Sequence, residues 1–463
     1  MATMEQKPTA AEVNAGNRID RLPMTPILWT WIGILGCMML FAVSYSLSAG
    51  FALPGIARYF HLSPTLAAVV VSTGAFGSVF GSLFFGMLMD SVGRKAGMLA
   101  AMILAALAAL GQVLVQNYST LLVLQFLIGF GGAGGLSAGV STYWGDMAPK
   151  KLRGRLMALT FVVAGFGPGL TALVAQLSVP TGPAGWHGVY LWGGVALVVA
   201  AWLLWKLPES PRWLASRGRL AEADHILTAL ESRIERQGLT LPEPEPYQIP
   251  KPELRLPLAT LLRGMYLRRL IVACIVGIGF WAFFYGFQIY LPTLLIREGH
   301  GILHSYVYTT ISEFGGVFGG LCLWLVADRW SRHLQIAAMG IVGAVLLVIF
   351  GTTGSNAVLL GSGFLIGVLL QLGTPLVFVY FSELFPTRAR ANGVGAVLFV
   401  VHWTPVALPL AIAWALEAFR TPIAIFIGLA IVLLILQTGV VLAFGQRGTT
   451  QTSVEEINEA QEA

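Results

Sequence analysis

Charge is what this chain has least of. Of its 463 residues only 11% are Asp, Glu, Lys or Arg. Soluble domains carry about 25%, so a chain this poor in charge cannot cover a water-facing surface. Cysteine is scarce too. Cys37, Cys274 and Cys322 all fall within apolar stretches, which argues against a disulfide framework. No nucleotide-binding glycine loop, metal-ligand cluster or catalytic triad stands out, so we expect no enzyme, no cofactor and no metal. The first apolar run starts only near residue 27, with no small-residue cleavage site before it, and no signal peptide is expected.

What fills the chain is apolar, 56% of it. A helix needs about 20 apolar residues to cross a bilayer. Such runs recur at 27–52, 65–89, 96–115, 119–142, 155–178, 187–206, 269–295, 303–327, 334–352, 356–380, 391–416 and 421–444. The expected fold is an all-α membrane protein with twelve transmembrane helices. Lys and Arg orient it. With the N-terminus placed inside, 25 of the 28 basic residues fall on the inner side, leaving Arg58, Arg297 and Arg420 outside. That is the positive-inside asymmetry of an integral membrane protein with both termini cytoplasmic. The net charge of +6 then needs no nucleic-acid partner.

The chain also repeats itself at a shift of 237 or 238 residues. Pro54 in "FALP" meets Pro292 in "IYLP", and "AFGSVFGSL" meets "EFGGVFGGL". Asp90 and Arg94 meet Asp328 and Arg332. "FLIG" recurs, and Asp146 and Arg153 meet Glu383 and Arg390. Six spans repeat as six in the same orientation. Parallel repeats of this kind place a pseudo-two-fold axis along the membrane normal and a substrate site between the halves. The expected division is a tail at 1–26, a first half at 27–206, a cytoplasmic loop at 207–268, a second half at 269–444 and a tail at 445–463.

"GMLMDSVGRK" (86–95) resembles the cytoplasmic loop signature of the major facilitator superfamily. "PESPRWLASRGRLAEADHIL" (208–227), "GDMAPKKLRGR" (145–155) and "SELFPTRARANG" (382–393) resemble its sugar-porter branch and relatives. "FFYGFQIYLPTLL" (283–295) looks more like the organic-ion and aromatic-acid carriers. The resemblance implies two six-helix halves that rock about a midplane site, with a small organic solute and protons as partners. It also implies a monomer in the bilayer, as in the bacterial inner membrane. Two departures count against a sugar and against the branch's usual coupling pair. The first span carries no acid, and Gln125 stands where the branch has an arginine.

Rocking needs contacts that close one side and release it. Asp90 is placed to pair with Arg94, Asp146 with Arg153, Glu209 with Arg212, and Glu383 with Arg390, with Asp328 and Arg332 as the second-half counterparts. Gly93 permits a tight turn of positive φ. Ser331 replaces it in the second copy, where a weaker latch is expected. In the long loop, apolar residues at Ile226, Leu227, Leu230 and Ile234 predict an amphipathic helix over 219–238, read as a bracket between the halves. A proline-rich linker follows.

Polar and aromatic residues at mid-depth are the cavity candidates: Tyr45, Ser46, Gln125, Trp281, Tyr285, Gln288, Gln371, His402 and Trp403. Pro405 and Pro409 are expected to break the helix near His402. Glu313 is the proton-coupling candidate. It opens the second copy of the glycine motif, where the first copy has Ala75. It lies fifteen residues before Asp328, or about 22 Å at about 1.5 Å per residue, beyond the midplane toward the outside. Acids at that depth are costly and functional. The structural alternative is a permanently protonated acid bonded to Thr309 or Thr310. The expected function is proton-coupled import of an organic ion, aromatic acid or related metabolite. A proton-driven exporter, a sugar carrier and a non-transporting nutrient sensor stay open.

Overall fold

The computed structural model describes residues 10–243, 261–326, 331–385 and 387–445. A short helix, α1 (Ala10–Asp20), precedes the spans. The first half contains α2 (Pro26–Tyr59), α3 (Pro64–Val92) and α4 (Arg94–Gln112). Its fourth span is α5 (Tyr118–Ile128), a wide π-helical stretch over Gly129–Leu136 and α6 (Ser137–Met147). α7 (Arg153–Ala164) continues into α8 (Phe166–Ser178), and α9 (His187–Gly194) into α10 (Ala196–Lys206). The connecting loop carries α11 (Pro211–Ser216) and α12 (Leu220–Glu235). The second half contains α13 (Gly264–Arg297), α14 (Ile302–Val326), α15 (Arg332–Thr352) and α16 (Asn356–Glu383). α17 (Thr387–Val401) leads into α18 (Thr404–Phe419), and α19 (Ile423–Val432) through a π-helical stretch into α20 (Val440–Phe444).

These elements make twelve spans in two six-helix halves. Among the described residues ten helices are long and apolar enough to cross a bilayer, and the His187–Leu203 segment and the 25-residue α14 supply the remaining two spans. Several spans run further than the hydropathy pattern indicates. α2 and α13 continue through Pro54 and Pro292 to Tyr59 and Arg297. Neighbouring helices let membrane helices tolerate an internal proline. The expected break in 391–416 falls at His402 and Trp403, with Pro405 in the first turn of α18.

The glycine repeat has a direct structural meaning. A Cβ on Gly77 would strike the Phe126 carbonyl, and one on Gly81 the Phe130 carbonyl. In the second half Gly315 meets the Phe364 carbonyl and Gly319 the Val368 carbonyl. Each contact recurs residue for residue. Small residues let two backbones touch where lipid offers no hydrophobic drive for association.

The halves meet where α18 packs on α3, α14 on α8 and α13 on α2. We call the side bearing α1, α11 and α12 the basic side, and the opposite one the far side. Near the far side Tyr306 donates its hydroxyl to the Phe51 carbonyl across the seam, and Thr65 donates to Glu417 at 2.8 Å. A Cβ on Gly50 would lie 2.8 Å from the Cα of Ile289, so α2 and α13 close tightly there. On the basic side, α12 packs chiefly on α11 and α1. Arg18 reaches Glu231 at 2.7 Å, and Asp20 meets Lys150 at 3.1 Å and Arg212 at 3.2 Å. The amphipathic helix therefore braces the N-terminal segment, rather than serving as the expected bracket between the halves. α1 itself lies in the segment read from sequence as a tail.

Candidate transport site

Between the halves lies a central pocket of about 20 Å³, lined by Tyr45, Ser46, Ala75, Gln125, Tyr285 and Pro405 among others. That is room for about one water molecule. First-half polar groups here are mostly engaged inside their own half. Tyr45 donates to the Gly193 carbonyl at 2.7 Å, and Ser46 to that of Ala42 at 3.1 Å. Gln125 is buried and accepts from Tyr190 at 3.0 Å. Tyr190 is not a candidate from sequence, where nothing marks it as the partner of Gln125 on another helix.

The second half supplies a different kind of group. Gln288 on α13 donates from Nε2 to Oε2 of Glu313 on α14 at 2.7 Å. Both are buried, at 5% and 3% exposure. The remaining oxygen of each, Gln288 Oε1 and Glu313 Oε1, finds no partner, nor does the buried hydroxyl of Thr310. So Glu313 is held by Gln288 rather than by a threonine of its own helix; Thr309 spends its hydroxyl on the Ser305 carbonyl. Two helical turns before Glu313, Tyr306 contacts Phe51 of the other half. The next residue, Phe314, packs on Gly169 of α8. Glu313 therefore sits on the side of α14 that faces the first half.

Trp281 stacks on Tyr285, with ring centroids 5.4 Å apart, and Phe284 and Phe378 meet the indole edge-on. This gives one wall of the central region an aromatic surface. Gln371 on α16 lies beside Gly316 and near Gly165, where α7 joins α8. His402 is exposed, its Nδ1 2.6 Å from the Leu398 carbonyl. Trp403 packs against Phe76 of α3 at the seam between the halves. Of the candidates, Tyr45, Ser46, Gln125 and Tyr285 line the central pocket; Trp281, Gln288, Glu313, Gln371, His402 and Trp403 do not.

The basic-side charges assemble differently from the expected local pairs. Arg94 is the hub: its Nη1 meets Asp90 at 2.7 Å and its Nε meets Asp146 at 2.7 Å. Asp146 thus pairs with Arg94 and not with Arg153, which donates to the Gly145 carbonyl instead. Glu209 does not pair with Arg212 either. It accepts from the backbone N–H groups of Arg94 at 2.9 Å and Lys95, filling the N-terminus of α4 where unpaired donors favour an anion. Arg212 goes to Asp20. In the second half Glu383 pairs with Arg332 at 3.3 Å, not with Arg390, which donates to the Ser382 carbonyl. In both halves one rule holds. The acid at the end of the fourth or tenth span reaches the arginine that opens the third or ninth, because those helix ends adjoin. Asp328 lies outside the described residues. Gly93 has φ +111°, and a Cβ there would also strike Glu209. Ser331 takes an ordinary φ of −62° at the corresponding turn.

The elements form a twelve-helix bundle of two six-helix halves, with an acid–arginine contact repeated on the basic side and a buried carboxyl on α14. The family model of the Major Facilitator Superfamily matches residues 34–400, and the chain belongs to that superfamily. It is similar to the putative metabolite transport protein YyaJ of Bacillus subtilis, at 27% identity over 84% of this chain and 86% of that one. It is also similar to the niacin transporter NiaP of Acinetobacter baylyi, at 25% identity over 92% and 96%. Among solved structures, the inward-open xylose transporter XylE of E. coli shares the fold, with a TM-score of 0.69, 17% identity and coverage of 93% and 98%. The relatives are named transporters, and this chain is a membrane transporter, not an enzyme.

Proposed function

We propose that the chain imports a small organic ion, aromatic acid or related metabolite together with protons, by alternating access. The observation that carries this reading is the buried Gln288–Glu313 pair facing the other half. Two carboxamide and carboxyl oxygens there lack a donor. A proton on Glu313 supplies a donor to the amide oxygen of Gln288, so the pair is better satisfied with the proton than without it. Rocking the halves changes which side reaches the pair, which is what coupling requires.

The aromatic surface of Trp281 and Tyr285 suits a planar solute, and the similarity to a niacin transporter supports an aromatic acid. Gln125, whose carbonyl is fixed by Tyr190, offers its amide nitrogen to that solute; Gln371 stands on the facing half. The excess of Lys and Arg on the basic side supports placing that side, and both termini, in the cytoplasm. Asp90, Arg94, Asp146 and Glu209 form the gate of the first half, and Arg332 and Glu383 that of the second. We further propose that the chain works as a monomer in a bacterial inner membrane, divided at the boundaries given above.

The test is uptake of nicotinate and benzoate into liposomes containing the purified chain. Uptake rises with an inwardly directed proton gradient and collapses with a protonophore. Equal uptake with and without the gradient defeats the coupled reading.

A further inference from the structure

A second cavity, of about 180 Å³, opens between the halves on the far side. The transporter reading makes that side the outer one. Pro54, Arg58 and Leu62 form its first-half wall, and Thr293, Arg297 and Leu416 line it from the second half. It lies beyond the contacts that close the seam. Ile289 lines the central pocket, while Tyr290, the next residue, lines the outer cavity. Gly50 and Phe51 pack between them against Ile289 and Tyr306.

Only three basic residues stand on this side of the chain, and two of them are in this wall. Among the described residues neither Arg58 nor Arg297 makes an ion pair. Among the described residues the nearby acids make no ion pair with them. Glu417, at the rim, accepts from the neutral hydroxyl of Thr65. Glu298, beside Arg297 in the chain, has a buried oxygen with no partner, and burial pushes its pKa up to about 7. The hydroxyl of Thr293 in the wall is also buried and unpartnered. The rest of the lining is mainly apolar.

Those features define a ligand. Guanidinium groups favour carboxylates, to which they donate in a fork. An apolar cavity of about 150 Å³ holds a benzene-sized ring. Like charges at the mouth of a low-dielectric cleft raise the local concentration of the opposite ion. We propose that this outer vestibule is a capture site for an organic anion with a compact ring, held above the closed seam before the halves rock. The proposal rests on the transporter reading for its direction, and it names the charge class that the uncharged central pocket leaves open.

Benzoate is the probe, with benzamide as its neutral and benzylammonium as its cationic counterpart. Equilibrium binding is measured on the full-length chain in lipid nanodiscs. The Arg58→Gln/Arg297→Gln double variant weakens benzoate about tenfold or more and leaves benzamide unchanged, while the Lys pair retains most of the affinity. Ala57→Phe fills the same cavity without altering charge and weakens benzoate equally. Each variant is checked for an unchanged melting temperature. Equal benzoate affinity in the wild type and the double Gln variant overturns the site. So does benzamide binding as tightly as benzoate, or no benzoate binding at all. Liposome uptake separates the two claims. Arginine-dependent binding without uptake removes the proposed import of aromatic acids and leaves the vestibule. Gradient-driven benzoate uptake with unchanged KM in the double variant does the reverse.

Discussion

In the first half, α2 and α3 bring Gly50 and Ala75 to the face between the halves. At the corresponding places, 238 residues on, α13 and α14 bring Gln288 and Glu313. The surrounding scaffold is shared: Gly77 and Gly81 do against Phe126 and Phe130 what Gly315 and Gly319 do against Phe364 and Val368. The difference shows which positions the fold constrains. Where two backbones touch, both copies keep glycine. Where a side chain has room, one copy keeps methyl or hydrogen and the other holds a buried amide–carboxyl pair. Gly50 is a partial exception, since α13 itself presses on it through Ile289.

The largest expected effect comes from breaking what the halves share. Gly81→Val and Gly319→Val each drive a side chain into a carbonyl of the neighbouring helix, and neither variant yields folded protein by size-exclusion chromatography. If one copy tolerates valine, the two contacts are not equivalent. Next come the positions where the copies differ. Gln288→Leu leaves Glu313 without its donor and costs about 1–3 kcal/mol of stability. Removing both polar groups, as Gln288→Leu with Glu313→Met, costs less than Gln288→Leu alone, because no buried acid is left unpaired. Thermal melting of the singles and the double reads this non-additivity; strict additivity breaks the claim that the two act as a pair.

A smaller contrast lies in the turns on the basic side. Gly93→Ala places a side chain at φ +111° and into Glu209, and lowers stability by about 1–3 kcal/mol. Ser331→Ala, at an ordinary φ, changes melting little. The smallest effect belongs to Glu298, whose counterpart 238 residues earlier is the apolar Phe60. Burial raises its pKa to about 7 from the ordinary 4.5. The folded state thus holds the proton more tightly, so the group destabilises the fold increasingly as pH rises from the lower value through the higher. Glu298→Gln raises the melting temperature slightly at pH 8 and leaves it unchanged at pH 4.

Much of this was legible in the sequence because the bilayer simplifies the rules. Apolar run length, basic-residue asymmetry and the repeat lead to twelve helices in two halves, and the glycine spacing indicates close helix contact. The basic-side charges are legible as residues but not as partners. Asp146 and Arg153 are near in sequence, yet Asp146 faces Arg94, because helix ends that adjoin in space are distant along the chain. Glu209 reads in the sequence as a salt-bridge residue, while its role at the start of α4 depends on three-dimensional proximity to exposed backbone donors. α1 leaves little trace in the sequence, because its buried apolar contact is short, Ala15 and Ile19, and ion pairs from Arg18, Asp20 and the following Arg21 complete its docking. Glu313 stands out through its missing counterpart, but nothing along the chain marks Gln288, on another helix, as its partner.

The most direct test of the account is Glu313→Gln, assayed twice in the same liposomes. The account predicts that solute exchange across an equilibrated membrane continues near the wild-type rate, while an imposed proton gradient no longer drives accumulation. Accumulation above equilibrium by the Gln variant contradicts the coupling role of Glu313.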